Sequence, residues 1–571
     1  MKHLILTSIL FFSILICRAQ NPVFIPPVLS GTTFNLNIQA GTQSFYPGTN
    51  TPTYGINGPF LAPTLIVNKA DSITLNVTNS LNISTTIHWH GMHVSPENDG
   101  GPHQIISPTT TWSPTFKVRN NAATYWYHPH GDGKTDLHVS KGIAGFLIVK
   151  DSAEAALTLP RTYGVDDFPL IVQTKAFDVL TQIAIATEDD TALFVNGTLN
   201  PYLNVPAQVV RLRLLNGSSM RTYLFGFSSN MNFKIIGGDG GLLDSSVIAD
   251  RIRMSPGERY EVLIDLQGMA GQTFFLRNFG SELPTGIYGS SSVGVGADTI
   301  PYYSLNFRNG VDYDVLQLNV TPPLPNGVTT TPTSLVSDSS WNLSLVNTTR
   351  TFQLNADSMN HRAEGPFNIN GDKFDIDSID ETTYLNNVEI WKWVNNTFIA
   401  HPIHIHDMHF YILSINGNPP LAQEAGRKDV VLVLPGDSIE FITRFETFAD
   451  ATVPYMYHCH LLHHEDDGMM GSLLVLDTLS SSIQIIKNSS LYLKAYPNPS
   501  KEEWNITGTS RYPINVATLF DVSGRVVTSL ISVQNFNEIS LQINNTKLSK
   551  GVYVLQLENG DSVQSIQLIK N

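Results

Sequence analysis

Tyr54-Gly55-Ile56-Asn57-Gly58, followed by Ile73, Leu75 and Val77 at alternate positions and then Asn79, pairs a tight-turn signal with a strand that buries one face. The layout returns twice. Phe194-Val195-Asn196-Gly197 precedes Val210, Leu212, Leu214 and Asn216, and Phe367-Asn368-Ile369-Asn370-Gly371 leads through Val388 and Ile390 to Asn395. Each copy reads as a hairpin feeding a half-buried strand. A second echo sets Tyr125-Trp126-Tyr127-His128-Pro129-His130 against Tyr455-Met456-Tyr457-His458-Cys459-His460. Each is followed by a closing strand, Gly145–Val149 and Gly471–Val475, and Pro256-Gly257 with Glu261 resembles Pro435-Gly436 with Glu440. Helical periodicity is hard to find. The chain reads as tandem β-sandwiches, three of them, with the Pro- and Thr-rich stretch 320–340 as a linker.

Composition fits that class. The 571 residues carry a net charge of −15, and charged residues are only 15% of the chain, against about 25% in ordinary domains. With no basic run, an acidic chain is a poor partner for nucleic acid or an anionic membrane. Lys2 and His3 precede an apolar run, Leu4–Ile16, too short to span a bilayer, which takes about 20 residues. It reads as a secretory signal, residues 1–19, cleaved after Ala19. Cys17 fits a lipoprotein anchor badly, with Ile16 before it and Arg18 after. No later stretch reads as a transmembrane segment.

Apart from His3, every histidine falls within 88–138 or 361–464; the central third has none. Four clusters are His-x-His: His88/His90, His128/His130, His404/His406 and His458/His460. On a strand, residues two apart share a face, so each pair presents two imidazoles together. Aligned on Asn79 and Asn395, His88 and His404 occupy the same offset, and in the central repeat that offset falls on Phe225. The outer domains therefore carry metal, and the middle one spaces them. A single pair would mean little, because zinc hydrolases and cupins use His-x-His too. Four mirrored pairs are not a chance pattern.

Cys459 sits between His458 and His460, so its thiol faces the opposite side and belongs to a second, covalently continuous site. His401, His464 and Met469 lie nearby in sequence. Two imidazoles, a thiolate and a thioether form the donor set of a blue-copper electron-transfer centre. Zinc accepts Cys and His but has no use for the thioether. Core packing is the other reading of Met469, and the one favoured for Met470.

With these motifs in view, His88-Trp89-His90-Gly91, His128-Pro129-His130, His401-Pro402-Ile403-His404-Ile405-His406 and the His458–Met469 run resemble the four copper motifs of the multicopper oxidases. The bacterial three-domain laccase-like and cuprous-oxidase branch is nearest, over roughly residues 40–480. The resemblance implies an all-β fold of three tandem cupredoxin-like Greek-key β-sandwiches at 20–152, 153–330 and 345–480. It implies four copper ions: one type 1 on His401, Cys459, His464 and Met469, one type 2 on His88 and His404, and two type 3 on His90, His128, His130, His406, His458 and His460. Electrons from a phenolic, aromatic or metal-ion donor would enter at the type 1 site and pass through Cys459 to His458 and His460, where dioxygen is reduced to water. Asp99 and Glu465 match positions linked to proton supply, although an Asp-Gly turn and a hydrogen-bonding partner explain them nearly as well. His93, His103, His138, His409 and His463 match no ligand position and read as surface or supporting residues, His463 being able to bind extra copper. Asp407 departs from the family, which more often has Gly there. Residues 280–400 hold only Met359, against a methionine-rich cuprous oxidase. A cuprous oxidase in copper tolerance and a copper-sequestering surface protein remain alternatives, and a zinc hydrolase is a third reading.

Residues 490–571 have neither His nor Cys. Ala495-Tyr496-Pro497-Asn498-Pro499-Ser500, Leu519–Arg525 and Leu548-Ser549-Lys550-Gly551-Val552-Tyr553 resemble the C-terminal sorting domain of type IX secretion substrates, a small β-sandwich. The resemblance implies engagement of secretion machinery and an extracellular or cell-surface location, with the periplasm crossed in transit.

Overall fold

The computed structural model describes residues 20–359, 361–477, 491–510, 514–521, 525–533, 539–559 and 562–571. The signal segment lies outside them. The fold is almost entirely β, and the chain forms two compact units, the larger running to Ile376 and over Thr383–Val475, the smaller comprising Asp377–Thr382 and Leu476–Asn571.

The larger unit holds three sandwiches. In the first, Ser72–Asn79 shows the expected alternation, with Ile73, Leu75, Val77 and Asn79 buried, and it pairs with Thr33–Gln43. The facing sheet joins Val28–Ser30, Thr64–Asn68, Gly145–Lys150 and Ala123–Tyr127. Leu65, Val67, Leu147 and Val149 meet Phe34, Leu36, Leu75 and Val77 in one core. The second sandwich is built around Val209–Asn216, and the short strand Asn21–Pro22 joins it by pairing with Pro201–Pro206. Residues 322–345 hold no strand; Leu335 N donates to Asp244 O of this sandwich at 2.8 Å, and Trp341 packs against Tyr411 of the next. The third sandwich sets the sheet of Val346–Ala356, Val388–Asn395, Ser438–Arg444 and Phe410–Ile415 against that of Met470–Leu476, Tyr455–Cys459, His401–Ile405 and Val430–Val433.

The repeats have a physical cause. Asn79, Asn216 and Asn395 are buried strand ends that each staple the following loop. Their Oδ1 accepts from the backbone N of Leu81, Ser218 and Thr397 at 2.9, 3.0 and 2.9 Å. Their Nδ2 donates to two carbonyls apiece, Ile83 and Ile106, Arg221 and Met254, and Ile399 and Val433. Asn57, Asn196 and Asn370 adopt φ of 55°, 49° and 59°, the left-handed region that Asn tolerates.

Two expectations change. The Asn-Gly turn does not feed the half-buried strand directly; in the first sandwich Thr64–Asn68 of the facing sheet intervenes. In the third repeat Val388 and Ile390 are out of phase with Asn395. Trp391 and Trp393 face the core, while Ile390 is only half-buried. Apolar residues on both faces of that strand conceal its period.

The tail unit contains two sheets, Leu491–Tyr496, Glu503–Ser510 and Ile539–Asn544, and Val526–Val533, Ile514–Asp521, Gly551–Asn559 and Ser562–Lys570. Trp504, Leu519, Leu555 and Leu568 form its core. Ser523 and Gly524 of its turn motif lie outside the described residues.

Candidate metal centre

The four His-x-His pairs meet where the first and third sandwiches face each other. His88 and His128 are bridged backbone to backbone, and His404 pairs with His458 between neighbouring strands. His404 and His458 sit near the ends of their strands, whereas His88 and His128 meet at an isolated bridge and His90 lies in a turn; the two rings of a pair reach different donor groups, although His88 and His90 also share one. Donor atoms converge as His88-His90-His404, His90-His128-His460 and His130-His406-His458. All eight side chains are buried.

Their surroundings choose which ring nitrogen faces inward. His88 Nδ1 donates to Asp99 O at 2.9 Å and His404 Nδ1 to Asp429 O at 2.7 Å. His128 Nδ1 donates to Pro129 O, His458 Nδ1 to Cys459 O, and His406 Nδ1 to the Asp99 carboxylate at 2.7 Å. The Nε2 atoms of His88 and His404, and both ring nitrogens of His460, are buried without a hydrogen-bond partner. Such orphans cost about 1–3 kcal/mol each. Burial, then the neighbouring imidazoles, holds His90, His128, His130, His404 and His458 well below the ordinary histidine range. Neutral rings with converging lone pairs fit cations.

The second cluster lies on the other side of the strand Tyr455–Cys459. Cys459 Sγ is 3.5 Å from His401 Nδ1 and 3.7 Å from His464 Nδ1. His401 Nε2 donates to Thr397 Oγ1 at 2.8 Å, and that hydroxyl donates to Asn395, so the repeat asparagine helps to aim Nδ1 at the thiol. Burial pushes the Cys459 thiol up, and a bound metal ion would reverse this. Met469 is wholly buried in the same core and accepts from Cys459 N through its backbone O at 3.1 Å. Met470 is buried on the closing strand opposite His458. The soft, imidazole-rich donor set fits copper.

Two carboxyls flank the histidines in opposite states. Burial works against ionisation of Asp99, but His406 and His88 hold it well below the usual carboxylate range. Burial, reinforced by Asp466, drives Glu465 well above it. Glu465 Oε1 lies 2.6 Å from Thr135 Oγ1 and 3.4 Å from His130 Nδ1.

Of the histidines read as supporting, His93, His103, His138, His409 and His463 join no donor cluster among the described residues. His138 is fully buried, 3.1 Å from Thr85 Oγ1, and His463 Nε2 lies 3.6 Å from an Asp467 carboxylate oxygen. Asp407 takes φ 67°, a glycine-like conformation, and its carboxylate accepts from His93 Nδ1 at 2.7 Å and Val94 N at 3.0 Å. The local turn is thus kept without glycine.

The middle sandwich does more than space its neighbours. At Gly257, φ is +86° and an added Cβ would sit 2.9 Å from His460 Cδ2. Arg259 reaches Asp429, a wholly buried carboxylate 3.1 Å from His90 Nε2. Neither Arg259 nor Asp429 shows in the sequence pattern, because Asp429 lies 23 residues beyond His406 whereas Asp99 lies nine beyond His90.

Known proteins resemble this chain over most of its length. Residues 37–154, 174–292 and 341–478 match multicopper oxidase families, and 494–571 match the secretion system C-terminal sorting domain. Multicopper oxidase mco of Staphylococcus haemolyticus is 34% identical, with 77% of this chain and 88% of the relative covered. Cell division protein FtsP of Escherichia coli is 31% identical over 80% of this chain and 93% of its own. Among solved structures, a laccase-like multicopper oxidase from Ochrobactrum sp., with oxidase activity towards lignin model compounds, superposes with TM-score 0.70 at 32% identity, covering 80% of this chain and 100% of that one. The sandwiches are cupredoxin-like, and the tail points to secretion or cell-surface export. No helix among the described residues is long and apolar enough to cross a membrane.

Proposed function

The chain belongs to the multicopper oxidase family, a copper oxidoreductase using oxygen, and from that premise we propose a secreted, laccase-like enzyme that oxidises phenols, aromatic amines or metal ions one electron at a time. His401, Cys459 and His464, with Met469, would hold a type 1 copper. His88 and His404 would hold a type 2 ion, and His90, His128 and His460, with His130, His406 and His458, would hold a type 3 pair. Copper bound there supplies one-electron steps and, as a set of four, the electrons that dioxygen needs to become water.

The observation that carries this reading is the continuity of Cys459 with His458 and His460. The thiol and the two imidazoles leave opposite faces of one strand, so a single stretch of backbone joins both clusters. His458 Nδ1 donating to Cys459 O at 3.1 Å adds a second link. Asp99 keeps its charge beside His88 and His406 and fixes both rings. Burial and Asp466 keep a proton on Glu465 at the edge of the cluster, against the opposing hydrogen bond that Thr135 Oγ1 donates to Oε1, and His130 Nδ1 lies 3.4 Å from that oxygen.

Relatives of similar identity carry either an oxidase or a cell-division name, so names alone do not choose an activity; the complete donor set favours turnover. Oxygen uptake by the copper-loaded protein, measured with phenols, bilirubin, Fe(II), Mn(II) and Cu(I) in turn, tests it. Donor-dependent uptake is expected. Copper binding with no uptake from any donor would leave sequestration as the function. The tail resembles type IX substrates, and the proposed location is extracellular or at the cell surface.

A further inference from the structure

One histidine of the cluster faces the wrong way round. His88, His128, His404, His406 and His458 all tie Nδ1 to an oxygen outside and leave Nε2 inside. His90 is reversed. Its Nε2 donates to Asp429 Oδ1 at 3.1 Å, and its Nδ1 faces His128 Nε2 at 3.4 Å. An imidazole turned in this way needs a fixed acceptor on its far side, because a neutral ring offers one donor and one lone pair.

Asp429 is that acceptor, and it is immobilised. Arg259 Nη1 and Nη2 grip its two oxygens at 2.6 Å each, in a forked geometry that point charges do not match. Arg259 is itself tied to Gly257 O and Asp239 O at 2.9 Å. The backbone O of Asp429 also accepts from His404 Nδ1, so one residue orients rings from two sandwiches while a third sandwich holds it still.

We propose that Asp429, clamped by Arg259, is the positioning residue that selects the Nε2–H tautomer of His90 and so presents Nδ1 to the type 3 pair. The proposal rests on the four-copper reading above. It gives the histidine-free middle sandwich a task in building the metal site.

Asp429→Asn tests it. The amide keeps the shape of the side chain but loses the charge, and Asp239, 3.6 Å from Arg259 Nη1, remains to neutralise the guanidinium. Loss of such a partner weakens metal retention by about 10- to 100-fold. The expected result is copper release from the type 2/type 3 cluster to a chelator, with loss of the absorption and magnetic coupling of the type 3 pair. The blue type 1 band of the same sample should stay intact. A lower Tm with copper content and coupling unchanged would mean a merely structural role and overturn the proposal. Wild-type protein with no blue band would instead sink the four-copper reading, so the two failures are distinguishable. If the variant does not accumulate, a copper-loaded wild-type crystal structure decides: His90 bound through Nδ1 supports the proposal, and binding through Nε2 overturns it.

Discussion

Asp99 and Asp429 exchange the same two tasks across the seam between the first and third sandwiches. The Asp99 carbonyl holds His88 of its own sandwich while its carboxylate crosses to His406; the Asp429 carbonyl holds His404 while its carboxylate crosses to His90. The crossed rings stack in pairs, His88 on His406 and His90 on His404, each with centroids 3.8 Å apart. A pseudo-twofold arrangement of this kind follows from duplicated sandwiches facing each other. It explains why neither half of the cluster is complete without the other.

Cys459→Ser should abolish the blue band and donor-driven oxygen uptake while the cluster coppers stay bound. The thiol faces His401 and His464, and the cluster histidines take their orientation from groups other than this thiol. Metal analysis with absorption spectroscopy checks it. Turnover at the wild-type rate would refute the route through Cys459.

Glu465→Gln should keep copper and the blue band, because the amide fits the same space beside Thr135 and His130. It removes a carboxyl that burial keeps protonated, so oxygen uptake should fall by about 10²- to 10⁴-fold, the usual weight of a positioned proton donor. Anaerobic reduction of the blue band by the donor should be unaffected. Slowing of that step as much as of oxygen uptake would remove Glu465 from proton supply.

Gly257→Ala combines a backbone penalty at φ +86° with a Cβ only 2.9 Å from His460. The backbone strain alone is of order 1 kcal/mol. Displacement of His460 should cost copper at the type 3 pair and leave the type 1 band unchanged. Full copper content with an unshifted type 3 band would show that the ring yields without consequence.

The metal centre was largely legible from the sequence, and the reason is chemical. Imidazole and thiolate are hard to replace as copper ligands, and strand geometry ties their spacing to their direction, so His458-Cys459-His460 announces two sites at once. Asp99 was within reach because it follows His90 closely in the chain. Asp429 and Arg259 were not, because a lone acid or base in a strand reads as a solvated face and only tertiary packing buries it. Trp391 and Trp393 escaped for a different reason: with Val388 and Ile390 apolar on the same strand, period-2 patterning does not choose a face.

Removal of copper should make the protein acid-labile. Burial holds His401 and His460 to about 3 and His406 to about 4, against an ordinary value of 6.5. Below pH 6.5 the unfolded chain takes up protons that the fold refuses, so stability is present above that pH and lost as pH falls towards 4. Each such histidine contributes on the order of 1 kcal/mol per pH unit in that window. Thermal unfolding of the chelated protein from pH 8 to pH 4 should show Tm falling steeply below about 6. A flat profile would mean that these rings are not held neutral.

Asn79→Ala should destabilise the metal-free protein without touching a ligand. The side chain of Asn79 satisfies Leu81 N, Ile83 O and Ile106 O, all through one buried residue. Alanine leaves those groups unpaired where water does not reach, at about 1–3 kcal/mol for each one that stays buried. Partial rearrangement of the loop at 80–85 should bring the total to roughly 3 kcal/mol. Asn216→Ala, which strips the same three bonds from the middle sandwich, should cost a similar amount even though no metal ligand lies in that repeat. Denaturant unfolding of both metal-free variants compares them directly. Losses below about 1 kcal/mol in both would show that the staple is incidental to the repeat.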